Sequence, residues 1–517
     1  MRYRWATWGD LNAFFGLMLD NMTNLILLTA VLVGTFGFPA EFIFSHMFPG
    51  TALGVLVGDL IYGWLAFRLA ARSGRDDVTA MPLGLDTPTT IGLAFAVLGP
   101  AYVASGDPVV TWQVGAATLV LIGLVKLVFS FSGEWLRAAV PQAGLLGPLA
   151  GVGLALLAFL PLVEIFQVPL VGLVALGIAL YTLVAALPLP GRLPGAFAAV
   201  LAGTAVYFAL GPLGLLGPAY HAPTLTWRLH LPLPTTAFLE GLPAALAYVS
   251  LAIPFGILNV VGGLNNTESA RVAGDPYDTR SILLTEAVST LVAGICGGVA
   301  QTTPYIGHPA YKAMGARAAY VIATGLFVGL GGMLGYVSFI VDAVPHAAVA
   351  PILIFIGLEI VVQAFQATPA RHAAAVALAC LPVLADLVLI QVGSVLGDLG
   401  RSPADLGPSA QATYQAVSVL AQGFILTALL WGGALALVID RQLWRAAGWC
   451  LLLAVLTLFG VVHSAAPNGA VYWPWEMPSP LPWAIAASYV LAALGLGVAG
   501  WGKPLRVAGL RAEPAGR

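Results

Sequence analysis

Hydropathy and turn signals predict sixteen apolar segments, some of them short. They fall at about 12–34, 49–71, 87–105, 112–130, 139–162, 168–189, 194–211, 241–264, 281–299, 304–316, 318–341, 345–366, 371–392, 411–438, 446–464 and 480–500. Two of these runs are interrupted by polar and helix-breaking residues at comparable depth. Asn265, Asn266, Thr267, Glu268 and Ser269 end one, and Thr302, Thr303, Pro304, Tyr305, Gly307, His308 and Pro309 break the other. Non-helical backbone is tolerated in hydrocarbon only where protein or a water-filled cavity satisfies its polar groups, so this pair is a candidate substrate cradle.

The third segment opens on a similar break, TAMPLGLDTPTTIG, in which Pro82 and Pro88 prevent regular helix. Thr87 is placed to cap a helix beginning at Pro88, whose free N–H groups and positive dipole end could hold a carbonyl or an anion. LDNMTN at Leu19–Asn24 echoes LNNTES at Leu264–Ser269, seven segments later. The echo and the paired breaks predict an all-α polytopic membrane protein, a seven-plus-seven inverted-repeat transporter with two discontinuous helices plus extra C-terminal helices.

Composition agrees with the membrane reading. The 517 residues are 59% hydrophobic and 9% charged, and mean hydropathy is +0.93, which a soluble domain could not bury. A formal net charge of -2 with no basic tract leaves nucleic acid no footing as a partner. Cys296, Cys380 and Cys450 lie in apolar runs without metal-ligand spacing. Arg2 and Arg4 precede an apolar stretch, but Asp20, Asn21, Thr23 and Asn24 interrupt it, so an uncleaved first span is expected. With a cytoplasmic N-terminus, Arg68, Arg72, Arg75, Arg137, Arg192, Arg271, Arg280, Arg317, Arg371, Arg441, Arg445, Lys503 and Arg506 fall inside. Arg228 is the one arginine of the long outside connection near 212–240. This orientation predicts the plasma membrane, in a bacterium the inner membrane. Enzyme motifs are missing: there is no HExxH, GxSxG or phosphate-binding glycine loop, and no enzyme is expected.

Candidate chemistry centres on Glu268, which could accept two donors from a planar heterocycle or take up a proton during transport. Its other reading is a vestibule pair with Arg271, three residues away on the same helical face. Asn265, Thr267, Thr303, Tyr305, His308 and Thr87 complete the expected binding set, His308 being able to change charge near neutral pH. Asp20, Asn24 and Asp59 form the expected coupling or core polar network, with a structural role for Asp59 equally open. Asp275, Asp278 and Arg280 read as a salt-bridged inside loop, and Lys126, Glu134 and Arg137 as the cytoplasmic border between two helices.

NNTESARVAGD, QTTPYIGHPA, AVAPILIFIGLEI and MPLGLDTPT resemble the nucleobase/ascorbate transporter family, nearest its purine-permease branch. The resemblance implies a core domain from 1–135 and 241–343, a gate domain from 136–211 and 344–465, an extracytoplasmic connection at 212–240 and an additional helix and tail at 466–517. It also implies short strands before the half-helices of segments three and ten, with substrate between the breaks and Glu268 contacting the base. The leading expectation is therefore alternating-access uptake of a nucleobase or similar planar heterocycle, coupled to H+ or Na+, with no other cofactor. Beyond the lipid bilayer and a small-molecule substrate, a homodimer partner is compatible. The alternatives are an anion or organic-acid transporter on the related sulphate-transporter fold and a non-transporting membrane receptor.

Overall fold

A computed structural model describes residues 3–132, 140–185, 187, 189–190, 195–217, 220, 229–305, 307–399, 401–466, 471–477 and 479–501. Glu134, Arg137, Arg192, Arg228, Lys503 and Arg506 lie outside the described residues, as do the side chains of Pro88 and Asn265.

The first half of the chain comprises α1 (Trp8–Thr35) and α2 (Ala40–Ser73), β1 (Leu83–Leu85) and α3 (Thr87–Leu93, running on to Ser105). It continues through α4 (Pro108–Phe129), α5 (Gln142–Gln167), α6 (Pro169–Val184) and α7 (Gly195–Leu210). The second half comprises α8 (Ala237–Arg271), α9 (Thr279–Ile295), β2 (Thr302–Pro304), α10 (His308–Ala313) and α11 (Ala319–Leu334). Then follow α12 (His346–Ala367), α13 (Ala370–Leu396), α14 (Pro408–Ala421), α15 (Phe424–Ile439), α16 (Leu443–Leu458) and α17 (Leu481–Trp501).

Every predicted segment contains a helix, but they are unequal. Among the described residues eight helices are long and apolar enough to cross a membrane, and a bent pair makes a ninth. That pair corrects the single helix expected over 411–438: α14 and α15 meet at 72° because Gly423 takes a left-handed φ of 71° between them.

Two packing sets are evident. In one, α1 lies on α11, α2 on α9 and α11, and α4 on α8 and α9. In the other, α5, α13 and α15 pack together, and α12 packs on α5, α6 and α7. Contacts of α8 with α15 and of α1 with α12 join the two sets, while α16 packs on α15 and α17. Glycine spacing explains how close α2 comes to its neighbours. Gly50, Gly54 and Gly58 face α9 and β1, while Gly325, Gly329 and Gly332 of α11 take Asp59, Leu56 and Ala52 from the other side of α2. Without a hydrophobic driving force between helices in lipid, such small-residue seams supply the dispersion contact that holds them.

The extra C-terminal helix is docked by a hydrogen-bond chain. Trp431 Nε1 donates to Tyr489 Oη at 2.8 Å, and Tyr489 Oη lies 2.8 Å from His463 Nε2. His463 Nδ1 lies 3.2 Å from the Val419 carbonyl, which can only accept, so Nδ1 carries the proton and Tyr489 donates to Nε2.

Candidate functional site

Two three-residue strands occupy the centre of the first packing set. β1 and β2 pair antiparallel in the register Leu83 to Pro304, Gly84 to Thr303 and Leu85 to Thr302. The ladder extends at both ends through Asp86 N to Gln301 O at 3.1 Å and Tyr305 N to Pro82 O at 2.8 Å. Each strand is too short to satisfy its own outer edge, so surrounding helices do it with side chains. From α1, Asn21 Oδ1 accepts from Leu85 N at 3.0 Å and Asn24 Nδ2 donates to Leu85 O at 3.3 Å. On the other edge, Lys126 of α4 donates to Thr302 O at 2.8 Å and Asn266 of α8 to Pro304 O at 2.6 Å. Ser289 of α9 adds a 2.5 Å bond to the Thr302 hydroxyl.

Lys126 is the buried anchor of this arrangement. Its ammonium is wholly enclosed and lies 2.9 Å from Glu286 Oε1, also wholly enclosed. The expectation that Lys126 marks a cytoplasmic border is thereby corrected: the amine points inward, where a carboxylate, the Thr290 hydroxyl and a strand carbonyl replace its water.

Because the strands are antiparallel, the helices that follow them start at opposite ends of the pair. α3 begins at Thr87, one residue earlier than expected, and its cap is Asp86 rather than Thr87: the carboxylate accepts from Thr89 N at 3.0 Å. An aspartate reaches its own N3 amide in this geometry, and Pro88 then occupies the first turn, where a missing N–H costs nothing. Gln301 Nε2 reaches Asp86 at 3.3 Å, and Asn259 of α8 donates to Thr89 Oγ1 at 3.2 Å.

The start of α10 is tied to the loops instead. His308 is buried, with Nε2 3.2 Å from the Thr79 carbonyl and 3.3 Å from Asp275 Oδ2, so Nε2 carries a proton. Asp275 also takes Lys312 at 2.6 Å, Arg75 at 3.3 Å and the Thr79 amide at 3.0 Å. Burial by itself would push Asp275 up, yet the bonds from His308, Lys312 and Thr79 hold its carboxyl below the usual carboxylate range. A group whose folded pKa is depressed contributes stability that is present above its unfolded value and lost as pH falls through the folded one. Asp275→Asn is therefore expected to lower stability by about 3 kcal/mol at pH 7. The deficit should shrink as pH falls below about 4, the ordinary aspartate value, which unfolding midpoints measured across pH would show; a deficit independent of pH would contradict the network.

The sequence-predicted residues divide between several places. Asp20, Asn24, Thr87 and Thr303 gather at the strand pair: a Cβ on Gly84 would come within 3.4 Å of Asp20 Oδ2, and Thr303 is the central residue of β2. Tyr305 follows β2, partly buried, with its ring 6.3 Å from that of Tyr311. His308 belongs to the Asp275 network. Thr267 is buried and bonds back to Gly263 O at 2.7 Å. Glu268 stands apart, about half exposed, with Oε2 2.8 Å from Arg271 Nε, the pair that was the other reading of this residue. Asp59 is fully buried on α2 against Gly325. Lys126 as an internal ligand, Glu286, Gln301 and the cap Asp86 were missed by the sequence reading. A lysine with apolar neighbours on both sides, in LIGLVKLVF, was the available signal.

Among the described residues several acceptor atoms around the strand pair have no hydrogen-bond partner: Asp20 Oδ2, Asn24 Oδ1 and Gln301 Oε1, together with the Thr90 hydroxyl. Such atoms in a dry interior call for a cation, a proton or a donor from outside the chain.

Neither a family model nor a curated protein matches the sequence. Solved structures do match. The transmembrane domain of a cyanobacterium bicarbonate transporter, BicA, is 15% identical with a TM-score of 0.49, covering 75% of this chain and 98% of that one. A structure of SLC26A9 is 12% identical with a TM-score of 0.47, covering 80% of this chain and 66% of that one. Murine Solute Carrier 26 family member A9, an anion transporter in the inward-facing state, is 11% identical with a TM-score of 0.50, covering 77% and 69%. The last of these shares with this chain the fold of a polytopic helical membrane protein. The resemblance to the nucleobase/ascorbate family is corrected by this match in fold, which is to an anion transporter. The prolines, glycines and small polar residues within those motifs are what any broken membrane helix needs, so they report the break rather than the substrate.

Proposed function

We propose that the protein is a secondary transporter of a small inorganic or organic anion, working by alternating access. The observation that carries the reading is the strand pair, from whose opposite ends two discontinuous helices start. Helix starts present N–H groups and partial positive charge, which suit an anion held between them. Glu268, which as a substrate ligand would repel an anion, is half exposed and engaged by Arg271. Asp86 already takes one of the α3 amides and adds negative charge, so the anion would enter with a compensating cation. Asp20, Asn24 and Gln301 offer the open acceptor atoms for that cation, H+ or Na+. On this reading the helices within 1–135 and 241–343 form a body that carries the site, moving against a gate made of 136–211 and 344–465. An apolar slit between the two, lined by Leu149, Val152, Phe255, Leu258 and Ile425, is the surface on which they would slide.

The test is flux in sealed vesicles containing the purified protein, with bicarbonate, chloride and sulphate as probes under imposed Na+ and pH gradients. Saturable uptake of one of these anions, driven by a cation gradient and made gradient-independent by Asp20→Asn, is the expected result. Folded protein that moves none of the anions would overturn the reading.

A further inference from the structure

A cavity of about 180 Å3 lies at the far end of α1, away from the strand pair. Gly34, Glu164, Gln167, Tyr207, Pro345 and His346 line it, bringing together the last turns of α1 and α5, the side of α7 and the first turn of α12. A Cβ added to Gly34 would stand 3.4 Å from Glu164 Oε1 and 3.5 Å from His346 Nδ1, so both side chains converge on the space that glycine leaves. Among the described residues Glu164, partly buried, has no hydrogen-bond or ion-pair partner, whereas the enclosed carboxylates Glu286 and Asp275 each have a cation.

We infer that this cavity is a binding site for a small organic ammonium ion. An unpaired carboxylate in a confined space selects for positive charge. The end of α5 at Gln167 adds the negative end of a helix dipole and the start of α12 opposes it, so the two largely cancel and Glu164 is left as the group that favours a cation. An inorganic cation is a poorer match, because it would demand about six oxygen ligands and the lining offers one carboxylate, one amide, one phenol and the His346 imidazole beside apolar Val168, Pro345 and Ala347. That mixture suits an alkylammonium, with nitrogen at Glu164 and the alkyl body on the valine, proline and alanine. The volume would hold about six waters, hence a ligand of about four to six heavy atoms. The inference stands on this cavity alone and does not depend on what the transporter carries.

The test is thermal unfolding of the purified full chain in detergent with n-propylammonium chloride, against sodium chloride and 1-propanol at matched concentrations. A ligand that binds the native state raises the midpoint in proportion to its occupancy. The expected result is a saturable rise with propylammonium only, half-maximal on the order of 1–10 mM. Glu164→Gln should abolish the rise by removing the charge and Gly34→Leu by filling the space; either variant suffices if the other fails to fold. An equal rise with sodium chloride, an equal rise with 1-propanol, persistence of the rise in a folded variant, or no rise at all would each overturn the inference.

Discussion

Lys126→Met is expected to lower the stability of the purified protein by about 3–5 kcal/mol, the usual cost of leaving a buried carboxylate without its partner. The substitution keeps the length of the side chain but removes the ammonium that meets Glu286 at 2.9 Å and the Thr302 carbonyl at 2.8 Å. Both acceptors are then stranded beneath β2, where no water reaches. The double variant Lys126→Met with Glu286→Leu should recover a large part of the loss, because exchanging both charges for apolar groups removes the desolvation term. Flux should stay impaired in the double variant, since the Thr302 carbonyl still lacks its donor and the strand pair is no longer held. Chemical unfolding of the two singles and the double in a mutant cycle reads the first part, and vesicle uptake the second. A single variant as stable as the wild type would mean that the pair is not the anchor described.

Gly50→Ala is expected to be nearly as damaging, by about 3 kcal/mol, for a steric reason. A Cβ at Gly50 would stand 2.3 Å from both the Cys296 carbonyl oxygen and the Gly298 amide, which are backbone atoms with nowhere to go. This part of α2 would have to move off the turn that follows α9, and that turn leads within a few residues to β2. Gly177→Ala in α6 is the matched control: none of the described residues lies within 4 Å of its added Cβ. It should be neutral or stabilising by about 0.5–1 kcal/mol through backbone entropy. Midpoints of thermal unfolding for the two variants decide the matter, and similar values for both would refute the close approach at Gly50.

Much of the architecture was legible because the membrane imposes simple demands on a chain. Long apolar runs have to be helices, and Pro82, Pro88, Pro304 and Pro309 cannot lie in undisturbed ones, so both breaks were visible in one dimension. Asp20 and Asn24 were legible for the same reason: polar groups in the first span have no lipid-facing solution, and the structure sets them against β1. The 72° bend at Gly423 was not legible, since a glycine in a membrane helix more often marks close packing than a corner.

The family resemblance failed on a related point. A broken helix needs much the same residues whatever passes beside it, and the solved structure that shares this fold at a TM-score of 0.50 is an anion transporter. Glu268 and Arg271, three residues apart, satisfied the local pairing rule as well as any ligand role did. Only the position of α8 showed the pair to be half exposed.

What the sequence determined by itself was a polytopic helical membrane protein with two interrupted segments and polar groups placed at depth. These follow from hydropathy and from backbone chemistry, both local properties of the chain. The tertiary structure decided which buried charges meet. Lys126 with Glu286, and Asp275 with His308, Lys312 and Arg75, are separated by up to 200 positions in sequence. A charge in a low-dielectric interior is governed by the nearest opposite charge in space, and chain order does not encode that distance.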